Sequence, residues 1–264
     1  MGFEGQVAVV VGAGQTPGDT IGNGRAISMV LARAGVSVLA VDRDLDSAEQ
    51  TVAMIRDEGG TAQAHRADIT VEDQCRTIAE RVLEVFGRVD ILVNNVGIGS
   101  GDSGATKLTE ESWDLIHDVN LKGMWMTCKY VLPILRSQGS GAVVNISSAA
   151  AVCSVPLLAY KTSKAGVNAL THQLAMSSAG RGVRVNCVAP GLMDTPMAIE
   201  SLAEGFGIDR DVLREQRDAM VPLGHKMGTA WDVAHAVRFL VSDDAAFITG
   251  VVLPVDGGQH ARIG

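Results

Sequence analysis

The sequence predicts an α/β fold, a doubly wound parallel sheet of about seven strands with helices on both faces. Two observations carry this. Short runs rich in Val, Ile, Leu and Ala alternate with longer stretches of helical period, and the runs are almost continuously apolar, as strands buried on both faces must be. The first run also opens into a glycine-rich turn and then a helix, the arrangement that offers backbone N–H groups to a phosphate. The expected strands are residues 7–11, 37–41, 62–66, 91–94, 142–146, 183–189 and 251–255. The expected helices are 25–34, 45–58, 71–86, 110–136, 159–178 and 230–241. No Pro- or Ser-rich linker and no internal repeat divides the sequence, so residues 1–264 are expected to form one domain.

Composition narrows the function. The chain is 47% hydrophobic and 20% charged with 30 glycines, enough apolar mass for a large core. Its net charge of −8 argues against nucleic acid or an anionic membrane surface as partner. No apolar run nears the ~20 residues of a membrane span, and the opening Met-Gly-Phe-Glu-Gly lacks the basic and apolar regions of a secretory signal. Cys75, Cys128, Cys153 and Cys187 form no C-x-x-C pair, which reads as reduced thiols and a cytoplasmic location. The six histidines show no ligand spacing, so no metal site is expected.

The glycine turn reads Val11-Gly12-Ala13-Gly14 and, after an extended loop, Gly22-Asn23-Gly24-Arg25. A glycine-rich surface turn would look similar. The dinucleotide reading gains from Asp42, which ends the second strand eighteen residues after Gly24, near the ~20 expected of a ribose-binding carboxylate. A carboxylate there accepts from a ribose 2′-OH and repels a 2′-phosphate, which favours NAD. Arg43 follows directly and is the residue that could pair with a 2′-phosphate instead.

The sharpest chemical signal is Tyr160-Lys161-Thr162-Ser163-Lys164, preceded by Ser148. Four residues apart on a helix, Tyr160 and Lys164 share one face. An ammonium nearby favours the phenolate, whose ordinary pKa is about 10; lowering it by roughly 3 units corresponds to about 4 kcal/mol. A tyrosine tuned in this way can exchange a proton with a carbonyl oxygen near neutral pH. Alone, the spacing also occurs on ordinary surface helices.

With these motifs in family order, the sequence resembles the short-chain dehydrogenases/reductases over nearly its whole length. Asp68-Ile69 follows the third strand, where the family contacts adenine. Asn94-Asn95-Val96-Gly97 resembles the family's Asn-Asn-Ala-Gly. Asn120 lies on the next helix, Asn145-Ile146-Ser147-Ser148 ends the fifth strand, Pro190, Gly191, Met193 and Thr195 follow the sixth, and Asp256-Gly257-Gly258 resembles the C-terminal signature. The resemblance implies a single-domain Rossmann fold and hydride transfer between NAD(H) and a secondary alcohol or ketone. It implies that Ser148 fixes the substrate oxygen and that Tyr160 transfers the proton. Lys164 would lower the tyrosine pKa and hold the nicotinamide ribose, and Asn120 would bend its helix and anchor a water leading to Lys164. Cofactor contacts are implied for Gly12, Gly14, Gly22, Asn23, Gly24, Asp42, Arg43, Asp68, Ile69, Asn94, Val96, Gly97, Tyr160, Lys164, Pro190, Gly191, Met193 and Thr195. A non-redox epimerase or dehydratase, a non-catalytic nucleotide-binding protein and an NADP-dependent 3-oxoacyl reductase are the alternatives.

Three departures from the family pattern stand out. Gly12 and Gly22 are ten residues apart where the family has four, which inserts six residues into the loop and puts Asn23 where an apolar residue near the nicotinamide is usual. Such a loop also resembles that of divergent enoyl reductases, but their Tyr and Lys are separated by six residues and position 167 here is Val. Ser148 lies twelve residues before Tyr160, one short of the usual spacing; Ser147 meets the count, but strand alternation turns the two to opposite faces, and the motif favours Ser148.

The resemblance places a substrate lid around 197–224. Met197, Ile199, Leu202, Phe206, Ile208, Val212, Leu213 and Met220 are expected to roof an apolar pocket, although packing between lid helices accounts for the same pattern. It also implies a homotetramer. Trp113, Ile116, Val119, Met124, Trp125, Met126 and Val131, with Leu157, Leu158, Val167, Leu170 and Leu174, exceed one buried stripe per helix.

Overall fold

A computed structural model describes residues 3–153 and 155–262, and the backbone alone of Phe206, whose expected place in the lid roof therefore lies outside the described side chains. Met1 and Gly2, part of the amino-terminal reading, also lie outside the described residues.

In chain order the elements are β1 (Val7–Val11), α1 (Asn23–Arg33), β2 (Ser37–Asp42), α2 (Leu45–Asp57), β3 (Ala62–Arg66), α3 (Glu72–Phe86), β4 (Ile91–Asn94), α4 (Glu110–His117), α5 (Gly123–Gln138), β5 (Gly141–Ile146), α6 (Leu158–Ala179), β6 (Val183–Pro190), β7 (Met193–Asp194), α7 (Pro196–Phe206), α8 (Arg210–Met220), β8 (Gly228–Thr229), α9 (Ala230–Val241) and β9 (Val252–Val255). Seven strands form one parallel sheet in the order β3-β2-β1-β4-β5-β6-β9. β7 and β8 form a separate two-stranded pair.

The period-2 geometry of a strand divides each apolar run between two cores. On one face Ala8, Val10, Val38, Val93 and Val144 pack with Ile27 and Leu31 of α1 and Val233, Val237 and Leu240 of α9. On the other, Val9, Val11, Leu39, Leu92 and Val143 pack with Ile78 and Val82 of α3 and Val131 and Leu135 of α5. Local signals set the ends: Asp44 caps α2 by accepting from the Ser47 amide, Thr229 and Asp232 form a capping box on α9, and α3 and α5 stop at left-handed Gly87 and Gly139.

The expected single helix over 110–136 is interrupted. Asp118–Lys122 form a π-turn between α4 and α5. The widened turn points Asn120 inward, where it is fully buried; turns of this kind recur at functional sites.

The reversal of connection direction falls between β1 and β4, so the open crevice lies at the carboxyl ends of those strands. It is tightest where α1 crosses the first turn: a Cβ on Gly24 would lie 1.8 Å from the Gly12 carbonyl oxygen. That contact is backbone and cannot move aside. Gly24→Ala is expected to destabilise by roughly 1–3 kcal/mol, a Tm loss of roughly 3–10 °C. Gly205→Ala in α7, where a Cβ meets nothing within 4 Å, should be neutral or raise Tm; thermal unfolding of the two variants checks both.

Candidate active site

The glycine turn leaves β1 with Gly12 at φ +78 and both Gly12 and Ala13 amides donating to the Val41 carbonyl. Asn95 Nδ2 donates to the Gly12 carbonyl at 2.9 Å, the atom beneath Gly24. Gln15 stitches the longer loop together: its Oε1 accepts from the Gly22 amide at 2.9 Å, and its own amide donates to Ser47 Oγ at 2.9 Å. At the tip, a Cβ on Gly18 would meet Glu200 and Pro196 of α7, and Asp19 pairs with Arg210 of α8 at 3.1 Å. The inserted residues therefore touch the segment expected to be the lid.

Asp42 ends β2 beside this turn. Its Oδ2 accepts from the Gly14 amide at 2.9 Å and its Oδ1 from the Asp44 amide at 3.1 Å, which leaves carboxylate lone pairs free. Arg43 is exposed and lines an open polar cleft with Asp44, Arg66, Asp68 and Gln74. Asp68 Oδ1 accepts from the amide and hydroxyl of Thr70, while Ile69 is buried under Gly123. Val11, Ile69, Asn94, Val96 and Met124 line a small crevice below.

These residues fit a dinucleotide. α1 has no acidic residue in its own first turn, which leaves its positive end suited to an anion. Among the described residues, Asn23 Oδ1, on the first residue of α1, is the buried side-chain polar atom without a partner. A bound group with a donor would satisfy it.

The second half of the site lies at the ends of β4 and β5. Lys164 on α6 is 2% exposed, and its Nζ donates to the Ile146 carbonyl at 2.9 Å. Gly97 has to be small, since a Cβ there would lie 2.8 Å from that nitrogen. Burial pushes the lysine pKa down to about 8. Asn120 grips the loop after β4 from both sides: Oδ1 accepts from the Ile98 amide at 2.8 Å and Nδ2 donates to the Ile98 carbonyl at 2.9 Å. Nδ2 also donates to Ser163 Oγ at 3.1 Å, so its polar groups already have protein partners.

The structure separates the two serines as strand alternation requires. Ser147 is buried and its hydroxyl donates to the Lys164 carbonyl at 3.0 Å. Ser148 faces the half-buried Tyr160 and forms a side-chain hydrogen bond with it. In the chain alone the tyrosine pKa lies above the ordinary value, because burial penalises the phenolate more than the Ser148 hydrogen bond favours it. Lys164 Nζ is 5.8 Å from the ring centroid and donates to Ile146.

Other expected cofactor residues divide into two groups. Val96 abuts Gly12, Pro190 ends β6, and Gly191 just after it meets the C-terminal segment, where a Cβ on Gly191 would lie 2.2 Å from Gln259 Oε1. Met193 and Thr195 are buried at the start of the lid. Asn94, by contrast, has its side chain committed to a buried network: it accepts from Thr127 Oγ1 and donates to Asn145 Oδ1, and Asn145 donates to Thr171. What Asn94 offers a ligand is its backbone.

Sequence reading passed over Gln15, Ser47, Asn95 and Asp102, which hold the site without touching its centre. Only Asn95 carried a visible signal, its place in the Asn-Asn pair. In the lid, Ile199 and Leu213 are buried whereas Met197, Val212 and Met220 are exposed, so the apolar pattern is in part the lid's own packing.

Comparison with known proteins identifies the family. A family model described as "Enoyl-(Acyl carrier protein) reductase" matches residues 19–260. The chain is 35% identical over 259 residues to a 3-oxoacyl-(acyl-carrier-protein) reductase, FabG, of Thermotoga maritima, covering 98% of this chain and 99% of that protein. It is 32% identical to a cyclohexanol dehydrogenase of an Acinetobacter species, covering 98% and 97%. Its fold superposes on NAD+-bound xylitol dehydrogenase with a TM-score of 0.89 at 30% identity, covering 97% and 99% of the two chains. The chain belongs to the short-chain dehydrogenase/reductase family and is an oxidoreductase of that family.

Proposed function

We propose that this enzyme uses NAD to interconvert a secondary alcohol and a ketone, with a neutral, largely apolar small molecule as substrate. The observation that carries the cofactor assignment is Asp42, whose carboxylate closes the end of β2 beside the glycine turn with lone pairs free for ribose hydroxyls. When bound, the nicotinamide exchanges the hydride with the carbinol carbon. Ser148 donates to the substrate oxygen and fixes it. Tyr160 gives that oxygen a proton in reduction and takes it in oxidation. Lys164, held by the Ile146 carbonyl, has two N–H groups left for the ribose and supplies positive charge to the phenol. Asn120 keeps the strip over Lys164 in place through Ile98. Residues 197–224 serve as the lid. A cytoplasmic location accords with four free thiols.

A second reading has its own observation. Arg43 and Arg66 flank the cleft beside Asp42, a pair that suits a 2′-phosphate and an NADP-dependent 3-oxoacyl reductase. A panel of secondary alcohols and ketones with both cofactors, followed by absorbance, separates the two. NAD is expected to give the higher kcat/KM by at least tenfold, and Asp42→Ala to narrow that gap. Equal kcat/KM for the two cofactors in the unmutated enzyme would rule out the NAD reading.

Tyr160→Phe keeps the ring and removes the proton, so kcat should fall by at least the roughly 10²–10⁴-fold typical of general acid–base groups. Because oxidation needs the unprotonated phenol and reduction the protonated one, the oxidation rate should rise with pH and the reduction rate fall. Retained turnover in the variant, with chemistry limiting, would remove Tyr160 from the role.

We also propose a homotetramer. Trp113 (37% exposed), Leu115 (52%) and Trp125 (45%) on α4 and α5, with Met176 (76%) on α6, are the large apolar side chains left uncovered on these helices. Covering them with two closed two-fold contacts gives four chains. Light scattering at micromolar concentration should return a mass near four times 27.6 kDa; a mass near one chain would exclude the assembly.

A further inference from the structure

α6 carries Tyr160 and Lys164, yet it begins without a cap of its own: its N-cap residue is Leu157, which makes no side-chain cap bond. The unpaired amides of a first helical turn need acceptors. They find them in the loop between β4 and α4. Asp102 Oδ1 accepts from the Ala159 amide at 3.1 Å, and Asp102 Oδ2 from the Tyr160 amide at 2.7 Å. The Ser103 carbonyl accepts from the Leu158 amide at 3.4 Å. The same loop lies over the tyrosine ring, where a Cβ on Gly99 would be 3.5 Å from Tyr160 Cδ2.

We propose that Asp102 is a positioning residue of the active site: it fixes Tyr160 by capping the helix at the tyrosine's own amide, and its negative charge holds the phenol toward its protonated form. This rests on the role of Tyr160 proposed above. Two physical effects are joined in one carboxylate. Bidentate acceptance from consecutive amides fixes the backbone that aims the phenol, and proton transfer loses efficiency steeply with small misplacements. The positive end of α6 would favour a phenolate on a residue of its first turn, and Asp102 offsets it.

The other charged or titratable groups around the phenol are accounted for. Lys164 donates to Ile146. The Lys161 ammonium donates to the Cys153 carbonyl at 2.6 Å and the Ala150 carbonyl at 3.2 Å. His117 of α4 bonds Thr162 Oγ1 at 3.2 Å. Cys187 of β6, held protonated by burial, neighbours Lys164. Asp102 is therefore the carboxylate bonded to this helix start.

The chain has two tyrosines, Tyr130 and Tyr160, so a Tyr130→Phe background leaves a single tyrosine. Its carbon-13 signal then reports the ionisation of Tyr160 with no substrate present. In that background, Asp102→Asn, which keeps the shape, and Asp102→Ser, which keeps an acceptor without charge, should each move the Tyr160 titration to lower pH by roughly half a pH unit or more. With the active substrate, the pH profile of kcat for oxidation should move the same way, and kcat should fall roughly tenfold at little change in the KM for NAD. A titration that stays in place or moves to higher pH in both variants would overturn the proposal. A merely structural role would lower Tm without moving the titration. The outcomes stay separable: if Tyr160→Phe remains active, the general acid–base assignment fails, while the tyrosine titration still judges what Asp102 does to the phenol.

Discussion

Backbone groups at the carboxyl edge of the sheet, around β1, β4 and β5, have run out of ladder partners, and the rest of the site depends on how side chains replace them. A buried carbonyl or amide left unpaired costs about 1–3 kcal/mol. Here Asn95 closes the Gly12 carbonyl, Asn120 closes both polar groups of Ile98, and Lys164 closes the Ile146 carbonyl. Each replacement side chain is amide or ammonium, and each comes from a different element. The glycine turn, the loop after β4 and helix α6 are thereby tied to a common edge. The buried ladder from Thr127 through Asn94 and Asn145 to Thr171 continues the same principle one layer deeper, joining α5 to α6 through the sheet.

Lys164 shows what this arrangement costs and what it yields. A cation that is 2% exposed and hydrogen-bonded to one neutral carbonyl is poorly compensated, and its pKa falls to about 8. Tyr160 is displaced in the opposite direction by the same low-dielectric surroundings. Burial thus separates the ionisation of an amine and a phenol that in water titrate in similar ranges. In such a place a single carboxylate at the start of α6 has leverage that it would lack in water.

Much of this was legible in the sequence, and for identifiable reasons. The central strands β1, β2, β4, β5 and β6 were readable as nearly continuous apolar runs because they are covered on both faces, whereas β3 and β9 at the edges are only half-buried. Asp42, Tyr160, Lys164 and Ser148 were readable because their chemistry fixes residue type and spacing together. The π-turn at Asp118–Lys122 was not, since its residues continue the helical period on both sides and only a buried contact to Ile98 selects the wider turn. Asp102 was invisible for a related reason. It caps a helix 57 and 58 residues away, so no local pattern announces it. The shared face of Tyr160 and Lys164 was legible from their spacing, but spacing does not show how dry that face is, and burial raises the tyrosine pKa in the chain alone.

The inserted loop and the lid are held together unequally. Asp19 and Arg210 are 72% and 50% exposed at the side chain, so their ion pair contributes about 0–1 kcal/mol and weakens with salt. The base of the lid is different: Ile199, Val221 and Met227 are buried together with Leu192 beside them. Full burial of one such side chain is worth about 1.5–3 kcal/mol. The lid is therefore seated firmly where it leaves β7 and lightly where it meets the glycine loop. The lengthened glycine loop thus meets residues 197–224 through an exposed ion pair, away from the apolar seat that anchors the segment.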